Sequence, residues 1–422
     1  MTTIQSGKGF YDLFPPKSDQ FTAIENTARD VFSRYGCREL RTPLVEYTEL
    51  FVRGIGDETD VVQKEMYSFP DRKGRSLTLR PEATAGVLRA CIEHKLLRKD
   101  EILKFFTLGP MFRYERPQMG RQRQFHQINV EILGSASHLV DVDMLFMLHR
   151  FLSEIGLTGL EYELNSLGCP QCRPAFRSAL DNYLKDVQHD DLCADCQRRM
   201  HTNPLRVLDC KVPGCREIAK NAPVITQNNC EPCRVHFDAV VSLLDRSLLK
   251  VNLNPLLVRG LDYYQGTTFE VVSTNIGSQS SVAGGGRYDG LISQLGGPDM
   301  PGIGFACGLE RLVMLAPAPS EPGIDVYITM HSDSFLEQAL EIAQVLRAAH
   351  FSVEFPYVFR SLKSQMRSAN KLNARYSIML DEASSAQCEL HVKDMSNGEQ
   401  FTLSGSELPL QLRKRMGASL QN

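Results

Sequence analysis

The chain has 422 residues, enough for two or three domains, and its 42% hydrophobic and 23% charged residues are an ordinary globular balance. A formal net charge of −3 and a pI near 6.4 exclude a generally basic surface, so a nucleic acid would have to meet local patches. No run is apolar for long enough to span a bilayer and the first residues hold no signal core, so the expected location is cytoplasmic, where cysteines stay free or bind metal. Residues 8–15 form a turn-rich opening. Phe21, Ile24, Ala28, Val31 and Phe32 predict a helix from Ser18 to about Tyr35, stopped by Gly36. Residues 39–46 read as a strand interrupted by Pro43, which lacks the ladder donor and belongs at an edge or crossing point. Residues 66–80 predict a hairpin turning at 71–75. A helix then runs to about Leu97, with Glu82 and Thr84 at its start. A carboxylate there serves either the helix dipole or a ligand ammonium.

Residues 105–133 predict two strands joined by a loop. Alternation places Arg113 and Glu115 on one face and Phe112 and Tyr114 on the other. On the second strand Phe125, Gln127, Asn129 and Glu131 share one face, and His126, Ile128, Val130 and Ile132 the opposite one. Four arginines and one glutamate lie between Arg113 and Gln124. The pattern suits either a solvated hairpin with a basic loop or a pocket for a charged ligand. Val140, Met144, Leu145, Leu148 and Leu152 mark the next helix.

Residues 169–240 predict a cysteine-rich helical insertion. Cys169 and Cys172, Cys193 and Cys196, Cys210 and Cys215, and Cys230 and Cys233 fit two structural Zn2+ sites of four thiolates each, or incidental thiols. Their spacing leaves the pairing open. Residues 255–272 read as strand, turn, strand. Within them Tyr263 and Tyr264 are either a core aromatic pair or, beside Arg259 and Asp262, part of a site. Gly284, Gly285 and Gly286 suit a tight turn, which is compatible with backbone lining a pocket. Residues 302–311 form a strand of small residues running into a helix. The Pro-rich stretch 316–323 is the clearest linker. Beyond it, strands at 325–330, 352–356 and 376–380 alternate with helices at 334–349 and 361–372, an α/β pattern with a mostly parallel sheet. Arg360, Lys363, Arg367, Lys371 and Arg375 form a basic row, either a solvated face or a phosphate-contacting one.

Together these stretches resemble class II aminoacyl-tRNA synthetases. The first helix with its Pro-strand is similar to that group's first signature motif. Phe112-Arg113-Tyr114-Glu115, Arg121 and Phe125 resemble the second, and Gly302, Gly304, Gly308, Glu310 and Arg311 the third. Leu257-Val-Arg-Gly-Leu-Asp-Tyr-Tyr264 and Ala283-Gly-Gly-Gly-Arg-Tyr-Asp-Gly290 are similar to signatures of the histidyl-tRNA synthetase family, and the resemblance covers essentially the whole chain. It implies an α+β catalytic domain with a mostly antiparallel sheet at 1–315, the insertion at 169–240 within it, the linker at 316–323, and an α/β anticodon-binding domain at 324–422.

The activity implied is ATP-dependent formation of histidyl-adenylate with Mg2+, then transfer of histidine to the 3′ end of tRNA(His), by a homodimer. Joining two anions calls for guanidinium groups. By resemblance Arg113 bridges the histidine carboxylate and the α-phosphate, and Arg259 acts on the opposite side of that phosphate. Arg121 and Arg311 hold the outer phosphates, Phe125 stacks on adenine and Glu115 faces its amine. Glu82, Thr84 and Gln127 receive the α-amino group of L-histidine, and Tyr263 lies beside Tyr264, which with Glu131 reads the imidazole. Arg116 and Gln118 match positions that approach the tRNA acceptor end. A different reading is a silent paralogue that regulates ATP phosphoribosyltransferase. The intact Arg-Gly-Leu-Asp-Tyr-Tyr peptide and the residues beyond the linker argue against it. Residues 380–388 depart from the family's usual glycine and glutamate pattern.

Overall fold

The first helix, α1 (Lys17–Arg34), buries Phe21, Ile24, Ala28, Val31 and Phe32 along one stripe, as their spacing predicts. The computed structural model describes residues 3–56, 59–118, 120–273, 281–318, 323–382 and 389–419. Residues 319–322 of the expected linker and 383–388 of the divergent segment lie outside the described residues. Contacts divide the chain into two units, Met1–Ala318 and Pro319–Asn422.

In the first unit, the stretch 39–46 is not one strand. β1 (Arg38–Glu39) and β2 (Val45–Tyr47) enter different sheets, and Pro43 lies where the chain passes between them. After α2 (Thr48–Ile55), β3 (Tyr67–Pro70) and β4 (Ser76–Leu79) form the expected hairpin and complete a three-stranded sheet with β2. Its turn is tied by Asp71 Oδ1, which accepts from the Lys73 and Arg75 N–H groups. α3 (Thr84–Glu93) ends short of Leu97, where Lys95 turns left-handed at φ 53°.

The hairpin of β5 (Leu103–Phe112) and β6 (Gln124–Leu133) pairs Phe105 with Glu131, Thr107 with Asn129, Gly109 with Gln127 and Met111 with Phe125. The first strand stops at Phe112, so Arg113 and Glu115 are not alternating strand positions. The Arg113 N–H still donates to Arg123 O at 2.9 Å. α4 (His138–Glu154), capped by Ser137 Oγ, leads to β7 (Leu160–Ser166). The insertion is helical as expected: α5 (Arg173–Lys185), α6 (Ala194–Thr202), α7 (Leu205–Leu208), α8 (Pro213–Lys220) and α9 (Glu231–Asp245).

Then come β8 (Asn252–Leu253), β9 (Gln265–Ser273), β10 (Ser281–Arg287), α10 (Leu291–Gln294), β11 (Gly302–Gly308) and α11 (Leu309–Leu315). Two expectations change here. Residues 255–264 form turns and coil, so only the later part of 255–272 is a strand. Gly284, Gly285 and Gly286 lie inside a central strand and not in a tight turn. The main sheet has the order β1-β5-β6-β11-β10-β9-β7-β8 and is antiparallel except at its two edges. Its back buries Ile128, Val130, Ile132, Phe269, Val271, Ile303 and Phe305 against α1, α4, α9 and α11. The alternation of the second hairpin strand therefore holds: its apolar face is core and its polar face is the front.

The second unit contains β12 (Val326–Met330), α12 (Leu336–Ala348), β13 (Val353–Glu354), α13 (Leu362–Lys371), β14 (Tyr376–Leu380), β15 (Glu389–Asp394), β16 (Gln400–Ser404) and a last helix, Leu408–Ser419. Its sheet order is β13-β12-β14-β15-β16. The three strands read from the sequence are parallel, but β15 and β16 extend the sheet antiparallel, so it is mixed. Lys363, Arg367 and Lys371 stand on the exposed face of α13, while Gln365 and Ala369 are buried.

One buried ion pair ties the back helices of the first unit to the sheet. Arg287 at the end of β10 contacts Asp141 of α4 at 2.6 Å, and His236 of α9 reaches the same carboxylate at 3.2 Å. Burial opposes the Asp141 charge, but His236 and Arg287 outweigh it and hold its pKa below the usual carboxylate range. A depressed folded pKa stabilises above the unfolded value and loses that contribution as pH falls. Asp141→Ala removes the nearer carboxylate of a buried guanidinium, which keeps Asp289 at 3.3 Å, and is expected to cost about 2 kcal/mol in urea unfolding. The loss of stability below about pH 4 should be shallower in the variant than in the parent.

Candidate active site

The front of the main sheet opens into a cavity of about 440 Å³. It forms there because the two central strands carry almost no side chains on that face. On β11 the front positions are Gly302, Gly304, Ala306 and Gly308, while Ile303, Phe305 and Cys307 fill the core behind. A Cβ at Gly304 would overlap the Glu131 carboxylate opposite, and one at Gly284 would overlap the Arg259 guanidinium. A Cβ at Gly302 would collide with the Tyr288 ring.

One end of the cavity is acidic and phenolic. Glu131 accepts hydrogen bonds from Thr84 Oγ1 at 2.6 Å and from the Tyr288 hydroxyl. Burial outweighs these donors and pushes its pKa up to about 8. Glu82 caps α3: its two oxygens accept from the Thr84 N–H at 2.8 Å and the Ala85 N–H at 2.9 Å. Burial raises its pKa as well. The helix-dipole role is thus real, and the same carboxylate lines the cavity. Tyr263 and Tyr264 have ring centroids 4.6 Å apart, and Tyr263 meets Tyr288 edge-on at 5.8 Å. They belong both to the apolar cluster beneath and to the cavity wall.

The rest of the cavity is arginine-rich, with carboxylates such as Glu65, Glu115 and Glu310 set among the guanidinium groups. Arg113 donates from Nε to Pro81 O at 2.9 Å and lies 5.4 Å from the Phe125 ring centre. Arg259 pairs with Glu270 at 3.0 Å; burial opposes its charge, but the carboxylate raises its pKa. Arg121 pairs with Glu115 at 2.6 Å. Arg311 donates to Gly120 O and Ser281 O, and burial with the nearby Arg121 lowers its pKa. Glu310 accepts from the Tyr11 hydroxyl and the His126 N–H, both at 2.9 Å, which ties the opening segment to β6. Among the described residues, Gln127 Oε1, Asn129 Oδ1 and Arg259 Nε are buried without a hydrogen-bond partner. Orphaned buried polar atoms around a cavity suit a polar ligand.

Twelve residues singled out in the sequence line this one cavity: Glu82, Thr84, Arg113, Glu115, Arg121, Phe125, Gln127, Glu131, Arg259, Tyr263, Tyr264 and Arg311. Arg116 and Gln118 are exposed on the loop and do not line it. Arg123, which had no role in the sequence, stacks 3.9 Å over the Tyr114 ring and accepts the packing of Gly9. Tyr288, Arg206 and Glu65 also line the cavity and were not singled out. Tyr288 follows the glycine run, but nothing in its local pattern announces a contact with Glu131. The cysteines form two quartets, Cys169, Cys172, Cys230 and Cys233, and Cys193, Cys196, Cys210 and Cys215, with the sulfurs of each within 4.8 Å of one another.

The family profile described as Histidyl-tRNA synthetase matches residues 9–312, and that described as Anticodon binding domain matches residues 325–415. A histidine–tRNA ligase of Nitratidesulfovibrio vulgaris is 57% identical over 403 residues, covering 96% of this chain and 97% of that protein. One of Solidesulfovibrio magneticus is 56% identical over 422 residues and 100% of both. The crystal structure of apo S. aureus histidyl-tRNA synthetase superposes with a TM-score of 0.81 at 32% identity, covering 97% of this chain and 100% of that one.

The raised pKa of Glu131 has two measurable consequences. Carbon-13 spectra of the ligand-free protein should show a glutamate carboxyl titrating near pH 8, absent from Glu131→Gln. A folded pKa above the unfolded value of about 4.3 means this group favours folding most at low pH, and that contribution declines as pH rises towards 8. Glu131→Gln should remove that slope from the stability profile.

Proposed function

Because the chain belongs to the histidyl-tRNA synthetase family, we propose that its cavity joins L-histidine to ATP and then passes the histidine to tRNA(His). The chain is an aminoacyl-tRNA ligase: histidine and ATP give histidyl-adenylate and pyrophosphate, and the 3′-terminal hydroxyl of tRNA(His) then takes the histidine and releases AMP. The observation that carries the reading of the site is the convergence of twelve residues, assigned by family resemblance, on one cavity with an acidic end and an arginine-rich remainder. The reading as a regulator of ATP phosphoribosyltransferase is not favoured, since relatives matching nearly the whole chain are named histidine–tRNA ligases.

Histidine sits at the acidic end. Its ammonium meets Glu82, Thr84 and Gln127, and its imidazole nitrogens meet Glu131 and Tyr264, with Tyr263 packed beside them. A pocket of buried polar groups rejects side chains that would leave those groups unpaired. The histidine carboxylate is then turned towards Arg113 and Arg259. ATP lies along the cationic part, its adenine over Phe125 and near Glu115, its outer phosphates at Arg121 and Arg311. The carboxylate itself attacks the α-phosphorus, so no side chain serves as nucleophile. Arg113 and Arg259 offset the repulsion between two anions and the charge that grows at the α-phosphate. Both metal-ligand groups of three or more found among the described residues are the cysteine quartets. Mg2+ would be carried by the ATP phosphates and would offset their charge.

The quartets hold structural Zn2+. Sulfur separations of 3.6 Å for Cys169 with Cys172 and 3.8 Å for Cys193 with Cys210 match the edge, about 3.8 Å, of a tetrahedron with Zn–S bonds near 2.3 Å. Backbone N–H groups of Cys230 and Cys193 donate to the sulfurs of Cys172 and Cys215. At Cys172 burial opposes the thiolate, but the donated hydrogen bonds outweigh it and lower the thiol pKa. The catalytic domain is 1–315 with its insertion at 169–240, and 324–422, after the 316–323 linker, binds the anticodon. Arg116 and Gln118, exposed beside the cavity, meet the acceptor end of the tRNA. Exposed Leu44, Val45, Tyr47 and Phe69 on and beside the three-stranded sheet support a homodimer contact. No described helix is long and apolar enough to cross a membrane. The cytoplasm is the compartment proposed for the enzyme.

Histidine-dependent exchange of pyrophosphate into ATP tests the site directly. Arg259→His should lower it at least about a hundredfold with the fold intact, and a wild-type rate would refute the role given to Arg259. Elemental analysis of the purified chain should find two Zn2+ per chain; none would remove both metal sites.

A further inference from the structure

The segment that carries Arg259, Asp262, Tyr263 and Tyr264 has no helix or strand from residue 255 to 264. It nevertheless has to hold a guanidinium and two phenols in place on a cavity wall. Asn165 of β7 donates to Pro255 O and Leu257 O, and Glu270 of β9 pairs with Arg259. Three further anchors come from the insertion. Arg206 Nη1 donates to Arg259 O at 2.9 Å, Asn203 Nδ2 donates to Asp262 Oδ1 at 3.0 Å, and Arg173 donates to Tyr264 O. Each of these three donors is tied to a cysteine quartet in sequence. Arg173 follows Cys172 directly. Asn203 and Arg206 lie between Cys196 and Cys210, two members of the second quartet.

The bracing stretch is slight. It consists of α6, a short link at Asn203 and Pro204, and α7, which has four residues. A single helical turn has no stability of its own. Burial of Val207 and Leu208 and the Arg199–Asp60 ion pair at 2.9 Å help hold it, and both its ends close on one quartet, Cys193 and Cys196 at the start and Cys210 and Cys215 beyond the end. A metal ion tying those ends orders the stretch as part of binding.

We propose that the helical insertion is a brace for the Arg259–Tyr264 loop, acting through Asn203 and Arg206, with the Cys193, Cys196, Cys210 and Cys215 quartet fixing the bracing stretch once metal fills it. The metal clause rests on the Zn2+ reading given above; the brace itself rests on the hydrogen bonds. Asn203 is a positioning residue. It does not line the main cavity, and the bond it makes is to Asp262, so its loss reaches the reaction through the loop. Small displacements of a positioning group are costly to a reaction that depends on orientation.

The test uses the full chain, with metal content, histidine KM and ATP KM measured on each variant by pyrophosphate exchange. Asn203→Ala should keep its Zn2+ and raise the histidine KM about fivefold to tenfold, while the ATP KM stays within about twofold. Combined with Asp262→Ala, it should add little to the effect of Asp262→Ala alone, because both remove one interaction. Arg206→Ala should shift the histidine KM in the same direction. An Asn203→Ala protein with its metal and an unchanged histidine KM overturns the brace and leaves the Zn2+ reading standing. A metal-free parent in which Asn203→Ala still raises the histidine KM overturns the Zn2+ reading and supports a brace built from side chains alone.

Discussion

The guanidinium of Arg259 and the carboxylate of Glu131 occupy space that a Cβ at positions 284 and 304 would fill. Neighbouring strands lie only about 4.8 Å apart, so no other part of the sheet can give way to make that room. The cavity, its charge and its ligands all follow from this. Glycine inside a strand is unfavourable by roughly 0.5–1 kcal/mol relative to alanine. The other face of the same strands offsets that cost, since Ile303, Phe305 and Cys307 alternate with the small residues and are buried in the main core. One strand thus has a core side made of large side chains and a ligand side made of backbone.

The back of the sheet also orders its front. Arg287 sits in the core-side ion pair with Asp141 and also donates to the carbonyls of Ser135 and Ser137. Its neighbour Tyr288 points to the front and donates to Glu131. The charged link between β10 and α4 therefore fixes the backbone from which a cavity phenol projects. Glu131, held by Tyr288 and Thr84, joins β6 to β10 and α3 through side chains that no backbone ladder connects. The acidic end is a small hydrogen-bonded network of buried side chains, where each missing partner is costly.

Much of this was legible in the residues. The alternation of Phe125, Gln127, Asn129 and Glu131 against His126, Ile128, Val130 and Ile132 separates front from back with a clean period of two. Family likeness gathered twelve lining residues that are scattered from Glu82 to Arg311. Other features depended on contacts that sequence does not display. The segment 255–264 read partly as strand, yet no ladder holds it: side chains of a distant insertion do, together with Asn165 of β7 and Glu270 of β9. Cys169 meets Cys230 across 61 residues because α5 and α9 bring their ends together, which spacing alone does not encode. Tyr288 lay in a quoted peptide but gained its role only from the direction of its ring. The antiparallel strands of the second sheet lie beyond the βαβ pattern from which a parallel sheet was read.

The order of strands in the main sheet bears on how the chain is made. β6 ends at Leu133, but one of its two neighbours is β11, which begins at Gly302. A growing chain therefore carries the apolar face of that hairpin with one edge unpaired until nearly the whole first unit has left the ribosome. Long-range pairings of this kind slow folding and leave strand edges exposed to wrong partners. The cysteine-rich helices, by contrast, are complete in sequence by Asp245, so all eight cysteines of the quartets are synthesised before β11. The part of the molecule that braces the cavity can thus be in place before the strand that finishes the cavity floor arrives.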